Sequence, residues 1–306
     1  MDIFQSSTLA SGNAGSQYAN LFNTALQTGN FNTCDRQAKL FAQIGHESAN
    51  FNSKVEGQDA TGNEIEWSLD LLLTYFKRTS GAKRHWFNQD FWDDEGYKEF
   101  ITVNYYETAN VNGTHKSEST EDFYGVWNGA NQTQYHVKIR TGFKTQENGA
   151  YKVYTVPTAS KAQYRKNIFR YAYGGVLGNE DPDNNANTED GWKYRGKGAI
   201  QLTGKDNYER NQNEIQEWFN LNYNLVTNPD LVSDNPSVIV YSSVAYILQN
   251  VSELEDIDGM TIDQFSALVN TGNSNNSIEN VNGADDRRNR YNNLIQNENL
   301  FKCDDE

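Results

Sequence analysis

The strongest constraint on the fold is a helical pattern that ends at a charged residue. Small and apolar residues in the segment AKLFAQIG (38–45) recur at three- and four-residue spacing, which indicates a packed helix face. Thr33 or Asp35 can cap the helix start, so Glu47 falls in the last turn. Carbonyl groups at a helix end carry partial negative charge, which favours the protonated acid over the carboxylate. A general acid needs a protonated carboxyl, and a solvated surface glutamate is the equally weighted alternative.

The adjacent pair His46-Glu47 also suggests a zinc protease, but the sequence excludes that class. The motif needs a second histidine three residues after the glutamate, and Asn50 occupies that position. The other three histidines show no spacing typical of metal ligands. The sequence therefore predicts no metal site and no cofactor.

Composition indicates a folded, acidic protein. Hydrophobic residues make up only 36% of the 306 residues, but aromatic residues reach 13%, which argues against disorder. A formal net charge of −15 counts against nucleic acid as a partner, because phosphate binding needs clustered Lys and Arg. The basic run Lys193, Arg195 and Lys197 is a local exception.

The apolar runs, the start of the sequence and the two cysteines bear on membrane insertion, export and disulfide bonding. The apolar runs are too short for a membrane span, and the start of the sequence lacks the features of a signal peptide. Cys34 and Cys303 lie at opposite ends of the sequence, so a disulfide would tie the termini together. We expect both cysteines to be free thiols.

The pattern along the chain predicts one domain over 1–306, mainly α, with an inserted lobe. Helical spacing occurs at 16–27, 33–47, 67–78, 161–173, 209–219 and 236–248. Between about 85 and 160, the alternating segments TGFKTQ and YKVYTV and the turn signal Asn148-Gly149 predict a partly β lobe. The aromatic residues of the lobe form either its small core, which we favour, or a sugar-stacking surface. The role of the lobe stays open.

A second informative stretch, GWKYRGKGAIQLTGKDNY, covers residues 191–208. Gly196, Gly198 and Gly204 allow the backbone to turn tightly and to approach a ligand closely. The spacing is not that of a phosphate-binding P-loop. The polar residues Gln201 and Asn207 either contact a ligand or cap backbone groups of the turn.

Together, these stretches resemble glycoside hydrolase family 19, which contains chitinases and endolysins and has a lysozyme-like helical fold. AQIGHESANF resembles the end of the family's catalytic helix, and YRGKGAIQLTGKDNY resembles its most recognisable motif. KVEG places Glu56 nine residues after Glu47, and NPDLV, ALVNTG and DDRRNRY match later segments in order. The resemblance implies a lysozyme-like fold, in which the lobe at about 85–160 has no counterpart.

The resemblance also implies roles for individual residues. Glu47 would be the acid and Glu56 the base of an inverting reaction, in which the base activates water on the face opposite the leaving group. Since the loop after Glu56 is longer than in the family, Glu64 and Glu66 remain alternatives for the base. Supporting or substrate-binding positions are implied for His46, Tyr194, Gln201, Thr203, Asn207, Asn270 and Arg287.

Some of these positions carry specific expectations. Thr203 would help to hold the water, Tyr194 would line the cleft, and Arg287 would orient the catalytic carboxylates. We expect His46 to be a hydrogen-bonded support rather than a catalyst. The neighbours Arg288 and Arg290 are expected to form a solvated face.

The implied function is an endo-glycosidase that hydrolyses β-1,4 bonds of N-acetylhexosamine polymers, with bacterial peptidoglycan preferred over chitin. The expected partner is this polysaccharide, and no membrane span is expected. The protein would reach the cell wall through lysis, delivery by a virion, or a secretion machine. One alternative is a lytic transglycosylase, which would need only Glu47. Another is a wall-binding or structural virion protein that kept the fold and lost the chemistry.

Overall fold

A computed structural model of the chain describes two compact units. The described residues are 12–51, 54–59, 61–65, 166, 169–170, 172–182, 184–185 and 187–296, with the backbone of five strands between 115 and 154. The first unit comprises residues 1–64 and 193–306, and the second comprises residues 65–192. The helix predicted at 67–78 and most of the one at 161–173 lie outside the described residues. The lobe boundaries at about 85 and 160 stay a prediction.

The first unit is helical where the structure describes it. In chain order the helices are α1 (Gly12–Thr28), α2 (Cys34–Glu47), α3 (Asp190–Lys193), α4 (Lys205–Phe219), α5 (Leu231–Asp234), α6 (Pro236–Leu248), α7 (Glu255–Gly259), α8 (Ile262–Thr271) and α9 (Ala284–Gln296). The boundary between the units falls within α3. A 3-10 turn is formed by Ile278–Asn280. In this described part, no helix is both long and apolar enough to cross a bilayer.

Helix α6 lies at the centre of the core. Asn235 caps it by accepting hydrogen bonds from the backbone N–H of Ser237 at 3.0 Å and of Val238 at 3.2 Å, and Pro236 occupies the first turn. Its buried residues lie on all sides of the helix, as expected of a helix enclosed by others. It packs against α1, α4 and α5.

Helix α2 contains the segment AKLFAQIG (38–45) and ends at Glu47, as predicted. Thr33 caps it by accepting a hydrogen bond from the backbone N–H of Arg36 at 3.2 Å. Its main packing partner is α9, which begins more than two hundred residues later in the sequence. The packing of α2 on α9 therefore brings residues from a distant part of the sequence to the carboxylate at the end of α2.

The prediction of a mainly α fold is confirmed, with small differences in helix boundaries. The pattern at 16–27 belongs to α1, and the pattern at 236–248 matches α6. The helix predicted from 209 begins four residues earlier, at Lys205. Gly204 precedes it with φ of 90° and provides no side-chain cap, so the sequence contains no capping residue that marks this start.

The second unit contains a five-stranded antiparallel sheet, within the range predicted to be partly β. Its strands are β1 (His115–Lys116), β2 (Tyr124–Asn128), β3 (Thr133–Lys138), β4 (Gly142–Glu147) and β5 (Ala150–Tyr154), in the order β1-β5-β4-β3-β2. Glu147 pairs with Ala150 across β4 and β5. The turn predicted at Asn148-Gly149 lies outside the described residues.

The expectation of free thiols is wrong for Cys34. This residue, the first of α2, is disulfide-bonded. The other cysteine of the sequence, Cys303, lies outside the described residues. Separation along the sequence does not determine separation in space, and only the latter decides whether two cysteines can be bridged.

Candidate active site

Glu47 is held by an arginine from the last helix. Arg287 on α9 donates from Nη2 to Glu47 Oε1, from Nη1 to Gln43 Oε1, and from Nε to the carbonyl of Asn282 at 3.1 Å. The Arg287 side chain is 1% exposed, whereas that of Glu47 is 17% exposed. Arg287 therefore holds one carboxyl oxygen of Glu47, while the glutamate side chain keeps some exposure to solvent.

Two features define the surroundings of the Glu47 carboxylate. It lies in the last turn of α2, as predicted, and the guanidinium of Arg287 lies directly against it. The contact with Arg287 comes from a distant part of the chain, so local helix spacing could not show it.

A buried polar layer behind Glu47 was missed by the sequence analysis. Gln43 is fully buried, and its Nε2 donates to Ser266 Oγ on α8 at 3.1 Å, while its Oε1 accepts from Arg287. A signal existed in the sequence. Gln43 precedes Glu47 by four residues, which places both on one helix face, and a glutamine inside an apolar face needs a partner.

His46 locks α2 to α9 beside the carboxylate. Its Nδ1 lies 2.8 Å from Asp286 Oδ2, and Asp286 also accepts a 2.7 Å hydrogen bond from Arg290 Nε. The imidazole packs directly on Gly283, where an added Cβ would lie 1.9 Å from His46 Cε1. This geometry agrees with the expected supporting role.

The turn that follows Glu47 is strained. Ala49, Asn50 and Phe51 have φ of 47°, 59° and 64°, although none is glycine. Such conformations cost of order 1–3 kcal/mol each and persist only where surrounding contacts enforce them. Ser48 Oγ accepts from Phe51 N at 2.9 Å, and Arg290 Nη1 donates to Asn50 Oδ1 at 2.6 Å.

Glu56 is positioned by backbone contacts with the glycine stretch. Its N–H donates to Gly196 O at 2.8 Å, and Gly196 N–H donates to the carboxylate Oε2 at 3.0 Å. A side chain at 196 would obstruct this arrangement, because an added Cβ would lie 2.7 Å from Gln201 Oε1 and 3.2 Å from Glu56 Oε2. The close backbone approach expected of this glycine stretch is thus made to the loop that carries Glu56.

Glu64 and Glu66, the two alternatives for the base, differ in what the structure shows of them. Glu64 Oε1 accepts a hydrogen bond from Gln58 Nε2 at 2.9 Å and lies 4.0 Å from Arg195 Nη2. Glu66 lies outside the described residues. Glu64 is therefore engaged with an amide and a cation, whereas the Glu56 carboxylate is aligned by the glycine stretch.

The polar residues of the glycine stretch contact backbone oxygens. Gln201 Nε2 donates to Gly198 O at 3.1 Å, Thr203 Oγ1 to Gln201 O at 2.8 Å, and Asn207 Nδ2 to Thr203 O at 2.7 Å. For Gln201 and Asn207 these are the capping contacts that were the alternative to ligand binding. Their substrate-binding roles stay predictions.

Two further predicted residues differ in exposure. Tyr194 is only 4% exposed, and its hydroxyl donates to Val226 O at 2.7 Å. It therefore supports the glycine stretch from the core and offers little surface to a cleft. Asn270 is exposed near the end of α8.

In the basic runs of the sequence, Lys193 is exposed, but four of the other basic residues are buried or ion-paired. Arg195 and Lys197 are 6% and 1% exposed, because the glycine turns fold them inward. Arg288 Nε donates to Asp263 Oδ1 at 2.6 Å, and Arg290 pairs with Asp286. The expected solvated face of Arg288 and Arg290 is therefore a set of half-buried ion pairs.

Tyr246 of α6 was not predicted as a site residue, but it lies near elements that carry predicted site residues. Its hydroxyl donates to Val269 O at 3.0 Å, next to Asn270. Burial, together with the negative charge of Glu47, raises the pKa of Tyr246 to about 12, while Arg210 acts in the opposite direction. Arg210 in turn donates to Asn207. Tyr246 thus lies within electrostatic reach of both the helix that ends in Glu47 and the helix that follows the glycine stretch.

Comparisons with known proteins give a family-level similarity. No family model matches the chain. Over 150 residues the chain is 30% identical to a Haemophilus influenzae protein named "Glycosyl hydrolase family 19 domain-containing protein". The match covers 48% of this chain and 63% of that relative. This similarity supports a relation, over about half of the chain, to glycosyl hydrolase family 19.

Proposed function

We propose that this protein is a glycoside hydrolase that cleaves β-1,4 bonds of N-acetylhexosamine polymers with inversion at the anomeric carbon. The observation that carries the proposal is the pairing of Glu47, in the last turn of α2, with the buried Arg287. A second carboxylate, Glu56, is aligned by the N–H of Gly196. Similarity to a family 19 protein supports the same chemistry.

In this mechanism Glu47 is the general acid. Its carboxyl gives a proton to the glycosidic oxygen as the bond breaks, and Arg287 stabilises the carboxylate that forms. The buried contacts of Arg287 with Gln43 and with the Asn282 carbonyl keep the guanidinium in place during the step.

Glu56 is the general base. It removes a proton from a water molecule that attacks the anomeric carbon on the face opposite the leaving group. Inversion requires the two carboxyl groups to be about 6.5–9.5 Å apart, so that the water fits between the base and the sugar. A base on a loop separate from α2 suits this requirement.

We propose bacterial peptidoglycan as the preferred substrate, with chitin as the second choice, and the cell wall as the place of action. The disulfide at Cys34 supports action outside the reducing cytoplasm, because disulfides persist in oxidising compartments. Lysis, virion delivery or a secretion machine would bring the protein there.

The test uses purified protein, cell walls and chitin oligomers, with Glu47→Gln as the inactive control. We expect soluble fragments with new reducing ends from walls, slower cleavage of chitin oligomers, and neither from the variant. Fragments that end in 1,6-anhydro sugars would indicate a lytic transglycosylase. Wall binding without any cleavage by the unaltered protein would indicate a non-catalytic wall-binding protein.

A further inference from the structure

The loop that carries Glu56 rests on a buried arginine that the proposed mechanism does not use. Arg195 is 6% exposed, and its Nε donates to the carbonyl oxygen of Glu56 at 3.2 Å. Its Nη2 lies 4.0 Å from Glu64 Oε1. Burial lowers the pKa of Arg195 from its ordinary value, while Glu64 and Glu56 act in the opposite direction. An arginine stays protonated even so, so a full positive charge lies against the backbone of Glu56.

Glu64 is the acidic residue that pairs with the positive charge of Arg195. Gln58 donates to its Oε1, and within the described ranges its Oε2 is buried without a hydrogen-bond partner. A bridge between Gln58 and Glu64 and the turn at Asp59 hold the carboxylate on the side of Arg195. A carboxylate in this position is poorly suited to activate a water, but it can reduce the field of the arginine.

The other charged groups near the loop are largely neutralised by each other. Lys197 Nζ donates to Asp230 Oδ1 at 2.7 Å and to Lys193 O at 2.6 Å. Tyr208 is fully buried and donates to Arg195 O at 3.2 Å, and burial raises its pKa well above its ordinary value, so it stays neutral. The charged and titratable groups that act on Arg195, Lys197 and Tyr208, besides these three themselves, are Glu56, Glu64, Tyr194, Asp230 and Asp234.

We propose that Arg195 is a positioning residue that keeps Glu56 ionised, and that Glu64 is the counter-charge of Arg195 rather than an alternative base. A general base must be ionised at the working pH, and an opposite charge nearby favours the ionised form. The meaning for catalysis rests on the proposed function. The effect on the protonation of Glu56 is a property of the folded chain alone.

The test is a carbon-13 NMR titration of the glutamate side-chain carboxyls, in which the Glu56 signal is assigned by its loss in Glu56→Gln. In Arg195→Gln the midpoint of Glu56 should move up by roughly 1 pH unit, because an opposite charge is removed. In Glu64→Gln it should move down, because the field of Arg195 is no longer reduced. Arg195→Lys keeps the charge and should leave the midpoint close to that of the unaltered protein.

The matched control is Arg36→Gln, which also removes a buried, ion-paired arginine. Arg36 is 7% exposed and donates to Asp258 at 2.8 Å, and it lies near the start of α2. This variant should lose stability without moving the Glu56 midpoint. If Arg195→Gln does not fold, Glu64→Gln and Arg195→Lys still test the proposal. An unchanged or upward-shifted midpoint in Glu64→Gln would overturn it.

Activity gives the second readout. On a neutral chitin oligomer, the acid limb of the pH profile should follow the NMR shifts in direction, while Glu64→Gln retains turnover within about tenfold. A loss of roughly 10²–10⁴-fold in Glu64→Gln would make Glu64 the base and overturn the inference. Absence of cleavage by the unaltered protein would reject the proposed function but would leave the NMR result to decide the role of Arg195.

Discussion

Different kinds of contact hold the two candidate catalytic carboxylates, Glu47 and Glu56, in place. Glu47 is held by side chains from a helix that lies 240 residues away in the sequence, and its arginine partner is part of the packed core. Glu56 lies on a loop and forms two hydrogen bonds with backbone groups of Gly196, 140 residues away, and accepts one from Arg195 Nε at its carbonyl oxygen. The difference predicts that changes around Glu47 cost stability and activity together, whereas changes around Glu56 cost mainly activity.

The largest expected effects come from removing the carboxylates themselves. Glu47→Gln should reduce turnover by an amount at the upper end of the roughly 10²–10⁴-fold range for a positioned acid, and Glu56→Gln by a smaller amount within it. Because glutamine still accepts a hydrogen bond from Arg287, we expect the melting temperature of Glu47→Gln to stay close to that of the unaltered protein. Steady-state kinetics and circular dichroism check both statements. Retained hydrolysis in Glu47→Gln would reject its role as the acid.

Truncation of Arg287 tests whether the support of Glu47 is part of the core. Arg287→Met leaves a mostly buried carboxylate without its partner, and we expect a loss of about 3 kcal/mol in the free energy of unfolding. Arg288→Met is the control on the same helix. Its ion pair with Asp263 is about one-third exposed and screened by solvent, so the loss should be much smaller than that of Arg287→Met. Equal losses in urea unfolding would contradict the distinction.

Two glycine substitutions test the contrast between the surroundings of Glu47 and those of Glu56. Gly283→Ala would place a Cβ 1.9 Å from His46 in a backbone with φ of 67°, so we expect roughly 1–3 kcal/mol of lost stability from overpacking, in addition to backbone strain. Gly196→Ala would displace the flexible ends of Gln201 and Glu56, so it should lower turnover by up to roughly 10²-fold with little change in melting temperature.

The control for these two variants is Gly62→Ala. An added Cβ at this position has no atom within 4 Å, although its φ of 82° is left-handed, so only backbone strain remains. It should lose less stability than Gly283→Ala and keep its activity. A stability loss in Gly196→Ala as large as that in Gly283→Ala would remove the proposed contrast between the two supports.

The sequence predicted the helix that ends at Glu47 because local spacing and the Thr33 cap are encoded within fifteen residues. It could not predict that Arg287 is buried, or that Arg195 and Lys197 face inward, because those outcomes depend on which distant elements pack together. The disulfide at Cys34 was missed for the same reason. Gln43 and Tyr246 show the limit of motif matching, since each contributes through a contact that no motif marks.

The smallest expected effect is the dependence of wall lysis on salt. The formal net charge of −15 should oppose approach to an anionic wall, and the arginines of α9 form no open basic face, since Arg287 is buried and Arg288 and Arg290 are ion-paired. Screening lengths fall from about 30 Å at 0.01 M to about 8–10 Å at 0.1–0.15 M ionic strength. Turbidity assays should show lysis rising a few-fold over that range.

The control for the salt effect is a short neutral chitin oligomer, whose cleavage should stay nearly constant over the same range. A steady fall of wall lysis with added salt would mean that a basic surface of the protein meets the wall. That result would contradict the charge argument without affecting the assignment of Glu47 and Glu56.

The central claim is that Glu47 and Glu56 act as acid and base on opposite faces of the sugar. Proton NMR of the reaction mixture in its first minutes, with a chitin oligomer as substrate, tests it most directly. Attack by a water activated by Glu56 inverts the β bond, so the first new reducing end should be the α-anomer. A β-anomer formed first, or a 1,6-anhydro sugar without a reducing end, would contradict the account.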